Sequence, residues 1–272
     1  MAINLFEGHA KEMVLAYAKQ SLVASKLSNN FEFLGNKTVK VMTPTTVPMN
    51  DYSRTGVNRY GEPVEMEDTI QELTCTQDKS FALTIDKGNF EDQGYQKTAR
   101  RMASYQMATR AIPEMDKYML EKLVAGAGGS ASGAMNKSNI YAAIAAGTAA
   151  LDDAEAPESG RTLFINSTNY ALLRQAPEFL GLEKLGSKAV GKGVVGEVDG
   201  MQVVKVPAGR WPASTNFIIV HKDAAVAPIK LDDTKIHIDP PGISGNLIEG
   251  RQYYDCFVFD AKEKGVYVHK AT

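Results

Sequence analysis

Residues 186–193 read GSKAVGKG, with Gly186, Gly191 and Lys192 at the spacing of the phosphate-binding pattern G-x-x-x-x-G-K-S/T. In such a loop, backbone N–H groups and the lysine hold phosphate oxygens, and the final hydroxyl reaches a magnesium ion. Gly193 occupies the hydroxyl position, so magnesium has no ligand there. The flanks disagree as well. A phosphate loop follows a strand and opens a helix. Here the stretch follows PEFLGLEKL, a frayed helix, and leads into VVGEVDGMQVV, two short strands turned at Asp199-Gly200. The reading is a glycine-rich loop feeding a β-hairpin, not a nucleotide site.

The other chemistry-bearing residues are scattered. His9, His221, His237 and His269 form no H-x-x-x-H pair and have no carboxylate at helical ligand spacing. His237 alternates with Ile236 and Ile238 and reads as a strand residue on a polar face. GISG at 242–245 lacks the G-x-S-x-G elbow of a serine hydrolase, so Ser244 reads as a turn residue. Glu249, Asp255 and Asp260 carry no pairing signal in their spacing. Cys75 and Cys256 form no C-x-x-C motif, which suits a reducing, intracellular setting. The net charge of −2 signals neither nucleic-acid binding nor disorder. Glu7 and His9 precede any long apolar run, so no signal peptide is expected, and no stretch nears the ~18 apolar residues of a membrane span. No cofactor or metal is expected. By elimination, the function lies in surfaces.

The elements that would present those surfaces can be read from periodicity. With 44% hydrophobic and 23% charged residues, the chain can build a sizeable core. Val14, Tyr17, Ala18 and Leu22 give residues 1–30 a modest helical stripe, suited to packing at home or docking on a neighbour. TVKVMTPTTV (38–47) reads as a strand that Pro44 and Pro48 keep out of a sheet centre. TIQELTCTQDKSFALTID (69–86) places Leu73, Cys75, Phe81, Leu83 and Ile85 at alternate positions, a long strand bent or turned near Gln77–Lys79. Residues 92–128 form the strongest helix, with Met102, Tyr105, Thr109, Ile112, Met115, Met119 and Leu123 on one face. Pro113 should kink or divide it. AGAGGSASGAMN (125–136) reads as a flexible link, and a helix carrying Ile140, Ile144 and Leu151 follows. RTLFIN (161–166) is a strand, after which Ser167 caps a short helix. From 193 onward nearly everything reads as strand. Helices and strands mix without a regular βαβ repeat, which argues for an α+β fold.

One stretch does not fit a self-contained domain. DYSRTGVNRYGEPVEMED (51–68) lies between two strands, has few core-forming residues, and carries a local net charge of −3. A two-stranded hairpin alone is marginal in water, and long structureless loops are usually functional or disordered. An arm that lies on another subunit resolves the conflict.

In this order of parts the chain resembles the major capsid proteins of tailed bacteriophages, the Hong Kong 97-type fold shared with encapsulins. The resemblance rests on NKTVKVMTPTTVPMNDYSRTG, ELTCTQDKSFALTIDKGNFEDQ, AIPEMDKYMLEKL and GVVGEVDGMQVVKVP, in that order. It implies an N-arm at 1–36 and an extended E-loop hairpin at 37–86. It also implies a peripheral domain at 87–136 plus 230–272, with a long spine helix over a sheet, and a mixed α/β axial domain at 137–229. It implies a structural, non-enzymatic protein that self-assembles through hexamers and pentamers into an icosahedral virion shell around double-stranded DNA, without sequence-specific DNA binding and without a membrane. Assembly in the host bacterial cytoplasm, with a portal and a separate scaffolding protein, is expected. Lys79 and Lys87 are not expected to form a covalent link to an asparagine. An encapsulin-like compartment is the alternative, and an α+β enzyme a distant one. The expected inter-subunit residues are Arg54, Arg59, Glu62, Glu65, Glu67 and Asp68 on the loop. Arg100 and Arg101 of a neighbour are the expected partners of its acidic tip.

Overall fold

The computed structural model describes residues 20–28, 38–92, 98–176 and 194–272. GSKAVGKG and most of the N-terminal stripe lie outside them. The strands are β1 (Thr38–Pro44), β2 (Asp68–Thr74), β3 (Gln77–Asp86), β4 (Gly129–Ser132), β5 (Arg161–Asn166), β6 (Val194–Val198) and β7 (Met201–Val206). They continue with β8 (Thr215–His221), β9 (Ala225–Val226), β10 (Ile229–Ile238), β11 (Gly245–Tyr254), β12 (Phe257–Val258) and β13 (Val266–Lys270). The helices are α1 (Lys87–Asp92), α2 (Ala99–Gln106), α3 (Ile112–Ala125), α4 (Ile140–Asp153) and α5 (Ser167–Leu173).

The centre is a six-stranded mixed sheet in the order β4-β13-β8-β5-β7-β6. Its inner strands β13, β8 and β5 are buried at successive positions because both faces are covered. Phe164, Ile218, Val220, Val266 and Val268 point into one cluster with Met115, Met119, Leu120 and Leu123 of α3. Their neighbours Leu163, Ile165, Phe217, Ile219 and Tyr267 point into a second with Ile140, Ile144 and Leu151 of α4. Alternation thus sends each strand's residues to opposite layers. Gly147 lets α4 lie close to the sheet, since a Cβ there would sit 2.7 Å from Ile219 Cδ1. The β6–β7 hairpin turns at Asp199-Gly200, with φ of 50° and 72°, the left-handed pair of a two-residue hairpin loop.

Two expectations are corrected here. The stretch 125–136 is not simply a link, because β4 within it pairs in parallel with β13. Gly129 fits under Tyr267, where a Cβ would meet the ring at 3.0 Å. The cap of α5 is Asn166, whose side chain accepts from Asn169 N–H at 2.6 Å, and Ser167 is the first helical residue. Both are good capping residues, and the strand's end selects the earlier one.

The spine helix runs without interruption from Ala99 to Ala125, about 40 Å at 1.5 Å per residue. Pro113 neither ends nor splits it. Met107–Ala111 instead form a π-turn, with Ile112 N–H donating to Met107 C=O, five residues back. The widened turn accommodates a ring that would otherwise press on the carbonyl four residues earlier. Thr109 Oγ1 adds a hydrogen bond to Tyr105 C=O at 2.7 Å.

A three-stranded antiparallel sheet, β10-β11-β3, the short two-stranded β12-β9 sheet and the two-stranded β1–β2 hairpin complete the sheets of the described fold. The 69–86 run, expected as one long strand bent near 77–79, is two strands, broken at Cys75–Thr76. Among the described residues β2 pairs only with β1, and β3 only with β11.

Candidate assembly surfaces

The β1–β2 hairpin is packed at its root and bare beyond it. On its inner face Val39 pairs with Leu73 and Val41 with Gln71. Leu73 and Cys75 are buried with Val226 and Phe259. On its outer face Thr38 and Thr74 share a hydrogen bond of 2.8 Å, and Lys40 meets Glu72 at 2.7 Å. The next cross-strand pair, Met42 and Ile70, is exposed at 63% and 52%. From residue 45 to residue 67 every residue but Gly61 is exposed. Twelve large hydrophobic residues are exposed among those described, and nine fall between Met42 and Ile70. Met49 is 98% and Val57 94% exposed. Isolated exposed apolar residues are ordinary, but a concentration of this kind marks an interaction surface.

The loop nonetheless has a defined local shape. Tyr52 and Tyr60 meet edge to face at 5.0 Å. Ser53 N–H donates to Arg59 C=O at 3.0 Å, and Gly61 N–H to Asn58 C=O at 2.9 Å. Gly61, at φ +87°, is pressed against Asn50, whose Nδ2 would lie 2.6 Å from an added Cβ.

Two carboxylates hold the hairpin root and residues 20–22 to the body. Asp255, 1% exposed, accepts from Thr76 N–H and Oγ1 at 2.8 and 2.9 Å, from Tyr118 Oη at 2.8 Å and from Cys256 N–H at 2.8 Å. It joins the strand break, the spine helix and the end of β11. Tyr253 Oη donates to Cys75 C=O at 2.8 Å beside it. Gln71 adds a second tether, donating to Val258 C=O at 3.0 Å and Asp260 Oδ1 at 2.8 Å. Burial pushes the Tyr254 hydroxyl and the Cys256 thiol each up to about 12, with the Asp255 charge adding to the effect. Burial likewise raises the Tyr118 hydroxyl, which stays a donor to Asp255.

The second carboxylate is Asp116, fully buried on the spine helix. It pairs with Arg210 Nη1 at 2.8 Å and accepts from Ser21 Oγ at 2.7 Å and Leu22 N–H at 3.1 Å. Arg210 also donates to Gln20 C=O at 3.2 Å. Leu22, Val23 and Leu27 join the core, so residues 20–28 pack on their own subunit. Neither hub was anticipated from sequence. A signal existed for one: Asp116 falls on the stripe with Leu120 and Leu123, where a charge demands a partner.

Arg54, Arg59, Glu62, Glu65, Glu67 and Asp68 are all exposed, as are Arg100 and Arg101 on α2. Among the described residues none of the eight forms an ion pair. The carboxylates without a pairing signal go to three separate places: Glu249 to His237 at 3.2 Å, Asp255 to its hub, Asp260 to Gln71. His237 is on a strand as expected, but Ile236 and Ile238 beside it are exposed too. Among the described residues no group of His, Cys, Asp and Glu is placed to hold a metal, and no helix is long and apolar enough to cross a membrane.

Comparison with known proteins supplies the family. The sequence profile of the phage capsid protein family matches residues 98–268. No curated protein sequence matches the chain. Among solved structures the chain is similar to one of Mycobacterium phage Che8, with 19% identity, 98% of each chain covered and a TM-score of 0.77. It is similar to a capsid structure of the cyanophage P-SCSP1u, with 15% identity, 99% and 93% covered and a TM-score of 0.73. It is also similar to the asymmetric unit of the bacteriophage PhiM1 mature capsid, with 13% identity, 100% and 92% covered and a TM-score of 0.62. The chain therefore belongs to the phage capsid protein family, a non-enzymatic major capsid protein of the Hong Kong 97-type α+β fold, whose place is the virion shell.

Proposed function

We propose that this chain assembles through hexamers and pentamers into an icosahedral shell enclosing double-stranded phage DNA, in the host bacterial cytoplasm, with a scaffolding protein and a portal. The observation that carries this is the concentration of nine exposed large hydrophobic residues between Met42 and Ile70, on a hairpin anchored only at its root. In this reading the loop gains its cover from another copy. Its parts are an N-arm at 1–36, an E-loop at 37–86, a peripheral domain at 87–136 plus 230–272 and an axial domain at 137–229. The six-stranded sheet joins the last two, since β13, with β4 at its outer edge, pairs with β8. The near-neutral charge of −2 suits a container that must release its DNA, because tight phosphate binding would oppose exit.

Within the shell the loop crosses a neighbour, and its acidic tip of Glu62, Glu65, Glu67 and Asp68 meets Arg100 and Arg101 there, with Arg54 and Arg59 completing the contact. Negative-stain microscopy of the expressed chain tests the shell: closed shells, tubes or rings are expected, and a stable monomer overturns it. Charge reversal, Arg100→Glu with Arg101→Glu, tests the pairing. Reduced shell yield or stability is expected, whereas unchanged shells refute this contact and leave the shell itself standing.

A further inference from the structure

Between the spine helix and the three-stranded sheet lies a cleft of about 110 Å³. Its buried lining includes Tyr254 and Gln252 of β11, 2% and 6% exposed. Toward solvent it is lined by Lys79 of β3, the cross-strand partner of Gln252, and by Gln106, Arg110 and Glu114, which follow at four-residue steps along the spine. Three of these side chains have no polar partner among the described residues: the Tyr254 hydroxyl, the Gln106 amide and the Arg110 guanidinium. Every side-chain nitrogen or oxygen that is sealed from solvent among the described residues is hydrogen-bonded, so the Tyr254 oxygen opens onto the cleft. Its ring is fixed there, edge to face with Tyr118 at 5.9 Å. Lys79 and Glu114 pair with each other at 3.4 Å, which leaves the Arg110 charge unbalanced. Gln252 donates to Asp232 on β10 at 3.2 Å, so that carboxylate is already engaged. Arg110 also lies within the π-turn Met107–Ala111, a widening of the helix that recurs at functional sites.

We infer that this cleft binds a small tetrahedral oxyanion, of the class of inorganic phosphate, held by Arg110, Tyr254 and Gln106. The free groups are a hydroxyl, an amide and a guanidinium, so the ligand must accept hydrogen bonds. A cation is repelled by Arg110 and Lys79. An apolar molecule leaves a buried donor unmet, which is costly. Water meets the hydrogen bonds but not the charge. The volume admits one small ion and no nucleotide or peptide. Tyr254 remains a donor to such an ion, because burial pushes its hydroxyl up to about 12. The bound ion pins the spine at its π-turn to β3 and β11, the strands next to the hairpin root. Subunit stability therefore depends on the concentration of the anion.

Calorimetric titration of inorganic phosphate into unassembled full-length subunits, at neutral pH and constant ionic strength, tests the site. One saturable site per subunit is expected, with sulfate competing and chloride not. At tenfold excess over its Kd, phosphate should raise the unfolding temperature by about 3 °C. Arg110→Gln and Tyr254→Phe should each weaken binding about tenfold or more, since each removes a donor to a charged ligand. Arg110 is exposed, and Tyr254→Phe removes one oxygen that bonds to no described protein group, so both variants fold. Lys117→Gln, on the same helix but outside the cleft, should bind phosphate as the unaltered chain does. Absence of binding overturns the inference, as does undiminished affinity in either Arg110→Gln or Tyr254→Phe. Equal weakening in Lys117→Gln, or a rise in unfolding temperature that never saturates, reveals only the general action of phosphate on protein surfaces and overturns it too. The shell reading stands under each of these outcomes.

Discussion

Two buried carboxylates, Asp116 and Asp255, do the joining that no metal or disulfide does in the described chain; Cys75 and Cys256 are both free. A buried carboxylate is costly unless its oxygens are hydrogen-bonded, and both have several donors. The same junction gives the subunit an alkaline limit. Cys256 is raised from 9.0 to about 12 and Tyr254 from 10.0 to about 12. An unfolded chain releases these protons from about pH 9 upward, while the folded chain keeps them. The stability they represent is therefore whole below pH 9 and lost as pH rises toward 12, by up to about 1.4 kcal/mol per pH unit for each proton. Between pH 9 and 10 the thiol is the larger contributor of the two. Urea unfolding of unassembled subunits should show Cys256→Ala losing stability less steeply over that interval than the unaltered chain. Equal slopes would mean that the Cys256 thiol is not held protonated.

Among the elements, the spine helix is the frame to which the others are tied. Its π-turn at Met107–Ala111 absorbs Pro113 without a break, so α2 over the three-stranded sheet and α3 in the main core remain one rod. Asp116 on that rod clamps Arg210 and residues 20–22. Asp116→Ala leaves Arg210 buried beside an empty space, with an expected loss of about 3–5 kcal/mol. Thermal unfolding reads the loss. Limited proteolysis should show new cleavage within 20–28 at temperatures where the subunit remains folded. Unchanged protection of that segment would mean that Leu22, Val23 and Leu27 hold it without the carboxylate.

On the scale of the whole molecule, the subunit has a complete centre and an incomplete periphery. Pro44 and Asp68 are cross-strand partners, so replacing Thr45–Glu67 by an Asn-Gly turn closes the hairpin in register. That deletion removes no core residue, and the subunit's unfolding free energy should change by less than about 1 kcal/mol. Shell formation should be abolished, as read by sedimentation and microscopy. Shells of normal yield from the shortened chain would show that assembly energy comes from elsewhere, while an unfolded product would show that the loop supports its own subunit.

The sequence alone determined the local pattern: the alternating strands, the apolar stripe of the spine helix, the Asp199-Gly200 turn, and the long polar excursion with too little to bury. These follow from side-chain period and turn chemistry, which act over a few residues. The order of those parts also carried the family. Only the tertiary structure decided that Asn166 caps α5, that Gly129–Ser132 becomes a strand beside Tyr267, and that the break falls at Cys75–Thr76. It alone brought Ser21, Asp116 and Arg210 together, and Thr76, Tyr118 and Asp255. Those contacts join residues 94 to 190 positions apart and depend on which layers pack, information that no local window of the chain contains.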